Sequence, residues 1–307
     1  MLKIGNLTPD NPYIVAPMAG YTDVAFRRVM TEHGAGFAVT EMVSAKALVF
    51  DNQKTKLMLR TAQSEKIKSV QLFGRDPEDF KRVLKSGDVN EFDIVDLNFG
   101  CPVGKIIRNG EGSALLKEPA LLLKIVETCA DNFPVVTVKL RAGFDEQSIL
   151  PSSFFKDLER AGARLITMHG RTAEQMYRGI SNWDYVKRVK DAVSVAVAGS
   201  GDILTVEEAQ NALKIADFVM IGRGAMYDPT LFDALNGKNT QRFEVIFRHL
   251  DYLSEYFDDK YASTTVRKFW GYYLKGLRDT HKLKVELMQT ENVAKIKSLL
   301  SDFILSA

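Results

Sequence analysis

Residues Asp93 to Leu140 carry the sequence pattern that is most informative about the fold. It begins with the apolar run DIVDLNF (residues 93–99), continues through the helical pattern PALLLKIVETCA (119–130) and ends with the β-branched run PVVTVKL (134–140). A short apolar run, a helix and a second apolar run form one strand–helix unit of a parallel sheet. The order of these segments therefore predicts an α/β fold.

The same unit recurs along most of the chain. Eight apolar runs are predicted as strands: Tyr13–Met18, Gly36–Met42, Ile67–Phe73, Asp93–Phe99, Pro134–Leu140, Arg164–His169, Val193–Ala198 and Asp217–Ile221. Helical patterns between them cover Asp23–His33, Asp76–Leu84, Pro119–Ala130, Ser152–Ala161, Trp183–Ala192 and Thr205–Lys214. An open doubly wound sheet accommodates this alternation with about five to seven strands. Eight strands favour a closed (β/α)8 TIM barrel.

The pattern changes after Gly237. Apolar residues recur at helical spacing over Gln241–Phe257 and again over Glu291–Phe303, and no strand pattern intervenes. This arrangement predicts a small bundle of three or four helices. We therefore expect a barrel domain at residues 1–237 and an all-α helical domain at residues 238–307.

The charge distribution differs between these two parts. The whole chain has 41 Lys+Arg and 39 Asp+Glu, a net charge of +2 that gives no sign of a polyanionic partner. Residues 238–307 alone hold 12 Lys+Arg and 9 Asp+Glu, a net charge of +3, which leaves the first 237 residues at −1. The excess lies between Ala262 and Lys284, where Arg267, Lys268, Lys275, Arg278, Lys282 and Lys284 alternate with Phe269, Trp270, Tyr272 and Tyr273.

This basic and aromatic stretch has two interpretations. Basic and aromatic side chains together suit the phosphates and unstacked bases of an RNA. Alternatively, the aromatic residues pack the core of the bundle and the lysines only keep its surface solvated. The sequence alone leaves both open.

Nothing in the sequence indicates export or membrane insertion. The first residues lack a cationic start followed by an apolar stretch, and no window approaches the roughly 18 apolar residues of a membrane span. The two cysteines, Cys101 and Cys129, give neither a disulfide framework nor a C-x-x-C metal site, and the four histidines are scattered. We therefore expect a cytoplasmic protein without a bound metal. We also expect the protein to be a monomer.

Polar residues and glycines lie in the last positions of the predicted strands or directly after them, at the carboxyl ends where a barrel places its reactive groups. They are Gln71, Asn98 to Pro102, Lys139 to Arg141, His169 to Arg171, Gly199 to Asp202 and Gly222 to Gly224. The glycines of the last two loops, the helix start at Thr205 and the charge of Arg223 suit a phosphate group. A phosphate-bearing cofactor that also contacts Gln71 and Lys139 indicates flavin mononucleotide (FMN).

Cys101 lies in a different setting from Cys129. Cys129 belongs to an apolar helix and reads as a buried hydrophobic residue. Cys101 lies between Gly100 and Pro102 in a loop at the predicted reactive end of the barrel. A thiol with a pKa of about 8.5 is mostly protonated near neutral pH and suits a general acid, but it also suits a nucleophile. The residues themselves leave the role open.

Seven motifs resemble those of the tRNA-dihydrouridine synthases in order and spacing. They are APMAGYTDVAFRRV (16–29), VQLFG (70–74), DLNFGCPVGKIIRNGEGSALL (96–116), VKLRAGF (138–144), MHGRTAEQMYRG (168–179), AGSGDI (198–203) and MIGRGAMYDP (220–229). The combination is highly specific, spans nearly the whole barrel, and is joined by the helical tail that this family carries. Ser200 departs from the family pattern, which usually has Asn at this position.

The resemblance implies a role for each matching residue. Pro17, Met18 and Ala19 would line the flavin ring, with Gln71 and Lys139 hydrogen-bonded to it and His169 between flavin and base. Ser200, Gly201, Asp202, Gly222 and Arg223 would hold the phosphate. Asn98 and Arg141 would contact the target uracil, Arg171 the flavin or the RNA, and Cys101 would be the general acid. Lys105, Arg108, Arg267, Lys268, Lys275 and Arg278 would contact the tRNA.

The implied reaction is reduction of uridine in tRNA to 5,6-dihydrouridine, with NADPH reducing FMN. Two other functions remain to be weighed. A flavin barrel that acts on a free pyrimidine, as dihydroorotate dehydrogenases do, would leave the basic aromatic tail without a role. A non-catalytic RNA-binding protein that keeps a flavin for structure would have no use for Cys101, Lys139 and His169.

Overall fold

In the computed structural model, which describes residues 2–306, eight parallel strands close into a barrel in chain order. The strands are β1 (Tyr13–Val15), β2 (Phe37–Ser44), β3 (Lys68–Phe73), β4 (Ile94–Phe99), β5 (Val136–Arg141), β6 (Ala163–His169), β7 (Ala196–Ser200) and β8 (Phe218–Ile221). Each strand pairs in parallel with the next, and β8 pairs with β1. The predicted (β/α)8 barrel is confirmed.

Helices connect the strands and surround the barrel. They are α1 (Val24–Glu32), α2 (Ala45–Val49), α3 (Gln53–Leu57), α4 (Pro77–Ser86), α5 (Gly104–Arg108), α6 (Pro119–Ala130), α7 (Ser152–Arg160), α8 (Trp183–Ala192), α9 (Val206–Ala212), α10 (Arg223–Tyr227) and α11 (Leu231–Leu235). A 3-10 helix over Gly112–Lys117 precedes α6. Within residues 2–306, no helix combines the length and the apolar character needed to cross a membrane.

The interior of the barrel changes from apolar to polar along the strands. Every second side chain of a strand points to the same side of the sheet. On β6, Leu165 packs with Ile4 in an apolar cluster, and Thr167 and His169 follow at the next two positions of that face. The turn between Ile4 and Leu7 packs against the same cluster. The polar interior groups are therefore gathered at the carboxyl ends of the strands.

The first strand is shorter than predicted. It ends at Val15 and not at Met18, because Pro17 has no N–H to donate to a ladder. The carbonyl of Met18 instead accepts from the N–H of Tyr21, which turns the chain out of the barrel. The motif that follows β1 therefore forms a loop at the mouth of the barrel.

The seventh strand lies further along the chain than predicted. It begins at Ala196 and not at Val193, which ends α8, and it continues to Ser200. The extension through Gly199 is possible because this residue lacks a side chain: a Cβ atom there would lie 2.2 Å from the ring of Trp183. The glycine after Ala198 predicts the end of the strand. In the structure, Gly199 instead lies within β7 and allows Trp183 of α8 to pack on the strand.

Five helices, and not three or four, follow within residues 238–306. They are α12 (Arg242–Tyr256), α13 (Asp259–Arg267), α14 (Trp270–Tyr273), α15 (Thr280–Gln289) and α16 (Val293–Ser306). The additional elements are short helices in the basic aromatic stretch, which a pattern of long amphipathic helices does not indicate. These helices share one apolar cluster with α1 and β8.

The aromatic residues of this stretch differ in their placement. Phe269, Trp270 and Tyr273 are buried, and the Phe269 ring lies 5.3 Å from that of Phe26 on α1. Burial of each such ring contributes about 1.5–3 kcal/mol. These three rings therefore join the helices to the barrel and do not face an RNA, which corrects that part of the RNA interpretation. Tyr272 alone of the four lines a cavity of the barrel.

Candidate active site

A cavity of about 560 Å³ opens at the carboxyl ends of the strands. Its size is within the range of roughly 300–1,000 Å³ that is typical of small-molecule and cofactor pockets. Fourteen of the predicted site residues line it: Pro17, Met18, Ala19, Gln71, Asn98, Cys101, Lys139, Arg141, His169, Ser200, Gly201, Asp202, Gly222 and Arg223. The structure thus brings together every predicted cofactor residue, the cysteine and two of the predicted substrate residues.

The two glycine-containing loops on one side of the cavity offer free backbone donors. Within the described part of the chain, the N–H groups of Gly201, Asp202, Gly222 and Arg223 have no hydrogen-bond acceptor. Gly201 has φ +116°, and a Cβ atom there would lie 2.3 Å from Ser181 Oγ. Such donors, together with an arginine, suit a phosphate group.

One predicted contribution to this anion site is opposed by a neighbouring carboxylate. The sequence predicts that the helix starting near Thr205 directs its positive end to the phosphate. The N–H groups of Leu204 and Thr205 donate to the Glu208 carboxylate, which forms a capping box with Thr205. This carboxylate places a negative charge at the start of α9, which opposes the attraction of that end for an anion.

Asp202 is held by two arginines. Its carboxylate accepts from Arg171 Nη1 and Nη2 at 3.0 and 2.7 Å, from Arg223 Nη2 at 3.1 Å and from the Ser181 N–H at 2.8 Å. Although burial opposes it, hydrogen bonding to Arg171 and Ser181 lowers the pKa of Asp202 below its usual value. The Asp202 carboxylate therefore stays ionised at neutral pH. Its backbone N–H is a separate group and is available to a ligand.

Arg171 lies behind the cavity wall. It is only 1% exposed, and it also donates to the carbonyls of Arg178 and Gly179 at 3.0 and 2.6 Å. It contacts a smaller depression beside the main cavity, next to Tyr227 and Lys275. The geometry gives Arg171 the position of a residue that orients Asp202, and its predicted contact with flavin or RNA stays a prediction.

The loop that carries Cys101 is anchored on both sides of the residue. The Cys101 N–H donates to Asn98 Oδ1 at 2.9 Å, and its carbonyl accepts from Ser113 N and Oγ at 3.1 and 2.9 Å. Gly112, at φ +59°, packs so close that a Cβ atom would lie 3.0 Å from the Cys101 carbonyl. These contacts place the half-buried thiol on the cavity wall.

Burial and neighbouring cations determine the protonation of Cys101 and His169. Burial raises the pKa of the Cys101 thiol, although Lys139 and Arg141 partly oppose this. Burial and the neighbouring cations hold the pKa of His169 well below its usual value. At neutral pH the site therefore contains a protonated thiol and a neutral imidazole, which favours proton donation by Cys101.

Two cations reach the cavity from β5. Burial, with Arg141 beside it, lowers the pKa of Lys139 to about 8, and burial lowers the pKa of Arg141 to about 10. Arg141 donates to the carbonyls of Gly100, Thr172 and Met176 at 2.8–2.9 Å. The backbone of Lys139 pairs with β4 and β6, but its ammonium group makes no hydrogen bond or ion pair with any other residue of the 2–306 range and is available to a ligand.

The remaining predicted RNA residues lie outside the cavity and differ in accessibility. Lys105 and Arg108 on α5, and Lys275 and Arg278 after α14, are exposed. Arg267 is partly buried and pairs with Glu291 at 3.6 Å. Lys268 is also partly buried. Its Nζ lies next to Gly20, where an added Cβ atom would be 3.8 Å away.

Several residues in and beneath the cavity are not among the predicted site residues. Met42, Tyr177 and Tyr272 line the cavity, and Asp96 supports it from below. Asp96 is the one with a detectable signal, because it is a charged residue inside the strand pattern DIVDLNF. Tyr177 and Tyr272 lie far apart in sequence, and only the fold brings both to the wall of this cavity.

Comparison with known proteins supports the assignment suggested by these motifs. The model of the family described as dihydrouridine synthase (Dus) matches residues 14–307. A probable tRNA-dihydrouridine synthase of Rickettsia bellii is 32% identical over 100% of this chain and 98% of its own length. The tRNA-dihydrouridine synthase B of Vibrio parahaemolyticus is 35% identical over 95% of this chain and 94% of its own length.

Solved structures share the barrel at much lower identity. Morphinone reductase superposes with a TM-score of 0.56 at 13% identity, over 78% of this chain and 89% of its own. A variant of NCR from Zymomonas mobilis gives a TM-score of 0.54 at 16% identity, over 77% and 89%. These two likenesses concern the fold alone. The family match over residues 14–307 confirms the resemblance seen in the motifs: the chain belongs to the dihydrouridine synthase family.

Proposed function

We propose that this protein is a flavin-dependent tRNA-dihydrouridine synthase, which reduces the C5–C6 double bond of uridines in tRNA to 5,6-dihydrouridine. One observation carries the proposal: a single cavity joins a thiol whose pKa is raised by burial, a lysine whose ammonium group is unpaired among the described residues, and a set of free backbone donors. Membership of the dihydrouridine synthase family supports the same reaction.

The donor set of the cavity fits FMN. Free N–H groups at Gly201, Asp202, Gly222 and Arg223 suit its phosphate, as does the guanidinium of Arg223. Pro17, Met18 and Ala19 supply an apolar wall, while Gln71, Lys139, His169 and Ser200 supply polar groups. The Ser200 hydroxyl is shorter than the family's usual Asn, so the backbone donors are the principal phosphate contacts in this proposal.

The chemistry divides between cofactor and protein. FMN bound in this cavity, with NADPH as its reductant, would supply a hydride for C6 of the uracil. Cys101 donates the proton to C5, so that neither carbon must hold a full charge. Asn98 and Arg141 position the uracil in the cavity. The Nε and Nη1 groups of Arg141 are engaged with backbone carbonyls, so its proposed contact with the uracil uses Nη2, beside Tyr177.

The tRNA must bring its target base out of the stack to reach this cavity, which costs a few kcal/mol. Contacts with the body of the tRNA supply the compensating binding energy. We assign these contacts first to the exposed Lys105, Arg108, Lys275 and Arg278. Arg267 and Lys268 belong to the same stretch and contribute positive charge from partly buried positions.

We also propose a division of labour along the chain. Residues 1–237 form the FMN-binding catalytic barrel, and residues 238–307 form the tRNA-binding helical domain. The helical domain additionally completes the cavity wall through Tyr272, whose ring lies 5.0 Å from that of Tyr227. The protein acts as a monomer in the cytoplasm.

Flavin binding and turnover on tRNA test this function together. We expect the purified protein to be yellow, to show a flavin absorbance spectrum, and to form dihydrouridine in tRNA with NADPH and not on free uridine or orotate. Turnover on a free pyrimidine would favour the alternative enzyme class, and flavin binding without turnover would favour the non-catalytic one. Mapping dihydrouridine in tRNA from cells that lack the protein would then identify its target position.

The exposed cations after α14 give a separate prediction. The double variant Lys275→Ala/Arg278→Ala should weaken tRNA binding by about tenfold or more at 0.1 M salt, because two phosphate contacts are lost. The slope of log affinity against log salt should decrease by up to about 2. Electrophoretic mobility shifts or fluorescence anisotropy across a salt series measure both quantities.

A control separates local contacts from net charge. Lys85→Ala/Lys156→Ala removes two exposed lysines from α4 and α7 on the outside of the barrel. This variant has the same net charge as Lys275→Ala/Arg278→Ala and should keep the salt slope of the unmodified protein. Equal slopes in the two double variants would assign Lys275 and Arg278 to general solubility.

A further inference from the structure

A buried carboxylate lies beneath the cavity. Asp96 occupies the middle of β4, is only 2% exposed and does not line the cavity. Its neighbours in register are Gln71 on β3 and Thr137 on β5. A buried carboxylate is unfavourable unless it is hydrogen-bonded or paired, so its partners indicate what it does.

Asp96 receives one short hydrogen bond on each oxygen. Gln71 Nε2 donates to Oδ2 at 2.6 Å, and Thr137 Oγ1 donates to Oδ1 at 2.6 Å. Burial raises the pKa of Asp96, while these two bonds and the charge of Lys139 oppose that rise. The Gln71 amide nitrogen cannot accept a proton, so this contact requires an unprotonated oxygen on Asp96.

A chain of side-chain amides connects Asp96 to the Cys101 loop. Asn98 Nδ2 donates to Gln71 Oε1 at 2.6 Å, and Asn98 Oδ1 accepts from the N–H groups of Gly100 and Cys101 at 3.1 and 2.9 Å. The two backbone donors fix which end of the Asn98 amide faces the loop. The other end therefore donates, and Gln71 must turn its oxygen toward it.

The orientation of Gln71 follows from both of its neighbours. If its amide were reversed, two donors would meet at Asn98 and two acceptors would meet at Asp96. Only the observed orientation satisfies both contacts. One hydrogen of Gln71 Nε2 is used by Asp96, and the second remains for a ligand in the cavity, where Gln71 is one of the lining residues.

We propose that Asp96 is a positioning residue, which fixes the Gln71 amide so that it offers an N–H to the flavin and holds Asn98 on the Cys101 loop. The inference rests on the proposed function, because it takes FMN as the ligand of the cavity. Asp96 touches neither cofactor nor substrate; it acts through Gln71 and Asn98.

Three variants distinguish a role of Asp96 in orienting the Gln71 amide from a role in stabilising the fold. Asp96→Ala removes both hydrogen bonds. Asp96→Asn keeps them, since its oxygen can accept from Gln71 and its amide can donate to the Thr137 hydroxyl. Thr137→Val is the matched control, because it removes the other bond to the same carboxylate and leaves the Gln71 contact. FMN dissociation constants of the deflavinated proteins and their melting temperatures are measured in parallel.

We expect Asp96→Ala to raise the FMN dissociation constant by at least about tenfold, the scale expected when Gln71 no longer presents its N–H and leaves a buried acceptor of the ligand unpaired. Asp96→Asn should restore it to within about threefold of the unmodified protein, and Thr137→Val should leave it within about threefold even though its melting temperature falls. Unmodified FMN affinity in Asp96→Ala, or equal weakening in Asp96→Asn and Asp96→Ala, would overturn the inference alone. Absence of FMN binding by the unmodified protein would refute the proposed function and this inference with it.

A second pair of variants covers failure of Asp96→Ala to fold. Gln71→Glu places two carboxylates against each other, and Gln71→Glu/Asp96→Asn restores a donor–acceptor pair at the same contact. We expect Asp96→Asn to raise the melting temperature of Gln71→Glu, and to do so by more than it changes the melting temperature of the unmodified protein. Additive effects of the two substitutions would show that the contact does not orient Gln71 and would overturn the inference.

Discussion

Cys101→Ala should reduce dihydrouridine formation by about 10²–10⁴-fold, the range typical for loss of a general acid. Burial raises the pKa of this thiol, so at neutral pH it carries the proton that C5 of the uracil requires. Alanine removes the donor and leaves the loop contacts, which use only the backbone of residue 101. Turnover on tRNA and a single-turnover reaction of the prereduced enzyme measure the loss.

The same variant should retain the steps that do not need the thiol. FMN affinity, tRNA affinity and NADPH-driven flavin reduction should stay within about twofold of the unmodified protein. Cys129→Ala is the matched control, because Cys129 is the other cysteine and is fully buried on α6, away from the cavity. Undiminished dihydrouridine formation by Cys101→Ala would exclude Cys101 as the proton donor.

The barrel was predictable because its signal is local. Each strand is a short apolar run and each long helix a periodic pattern, so α6 and α8 have the predicted bounds, Pro119–Ala130 and Trp183–Ala192. The error at β7 had a non-local cause. Whether Gly199 ends a strand or lies within it depends on Trp183 packing against it, and a local pattern does not contain that contact.

The composition of the site was predictable, but its internal pairing was not. Polar residues at the carboxyl ends of barrel strands converge by topology, which is why Gln71, Lys139 and His169 meet in one cavity. Which cation remains free depends on partners from other loops. Arg171 is engaged by Asp202, 31 positions away in the sequence, whereas Lys139 has no such partner among residues 2–306.

The aromatic residues of the C-terminal stretch are a second case in which the sequence does not show which side chains will be in contact. Phe269, Trp270, Tyr272 and Tyr273 all lie in one basic segment, and its composition suits RNA contact and core packing equally. Their roles separate only after the short α14 helix is packed against the barrel. Three rings then join the shared apolar cluster, and Tyr272 turns to the cavity.

Lys139→Met should weaken FMN binding by about 10–100-fold, because it replaces a free cation in the cavity with an apolar side chain of similar length. A hydrogen bond to a charged group contributes about 1.5–3 kcal/mol, which corresponds to this range.

The unmodified protein should also bind FMN less tightly as the pH rises through about 8. Burial and Arg141 lower the pKa of Lys139 to about 8, and only the protonated lysine offers the charge.

The pH dependence distinguishes this charge effect from a loss of shape. The other groups around Lys139 do not titrate in the same window: the pKa of Arg141 is about 10, burial raises that of Cys101, and that of His169 lies well below 6.5. Burial raises the pKa of Asp96, and its hydrogen bonds to Thr137 and Gln71 and the charge of Lys139 oppose that rise. FMN affinity of Lys139→Met should therefore be flat between about pH 7 and 9. A decline as steep as that of the unmodified protein would assign the titration to another group and leave Lys139 only a packing role.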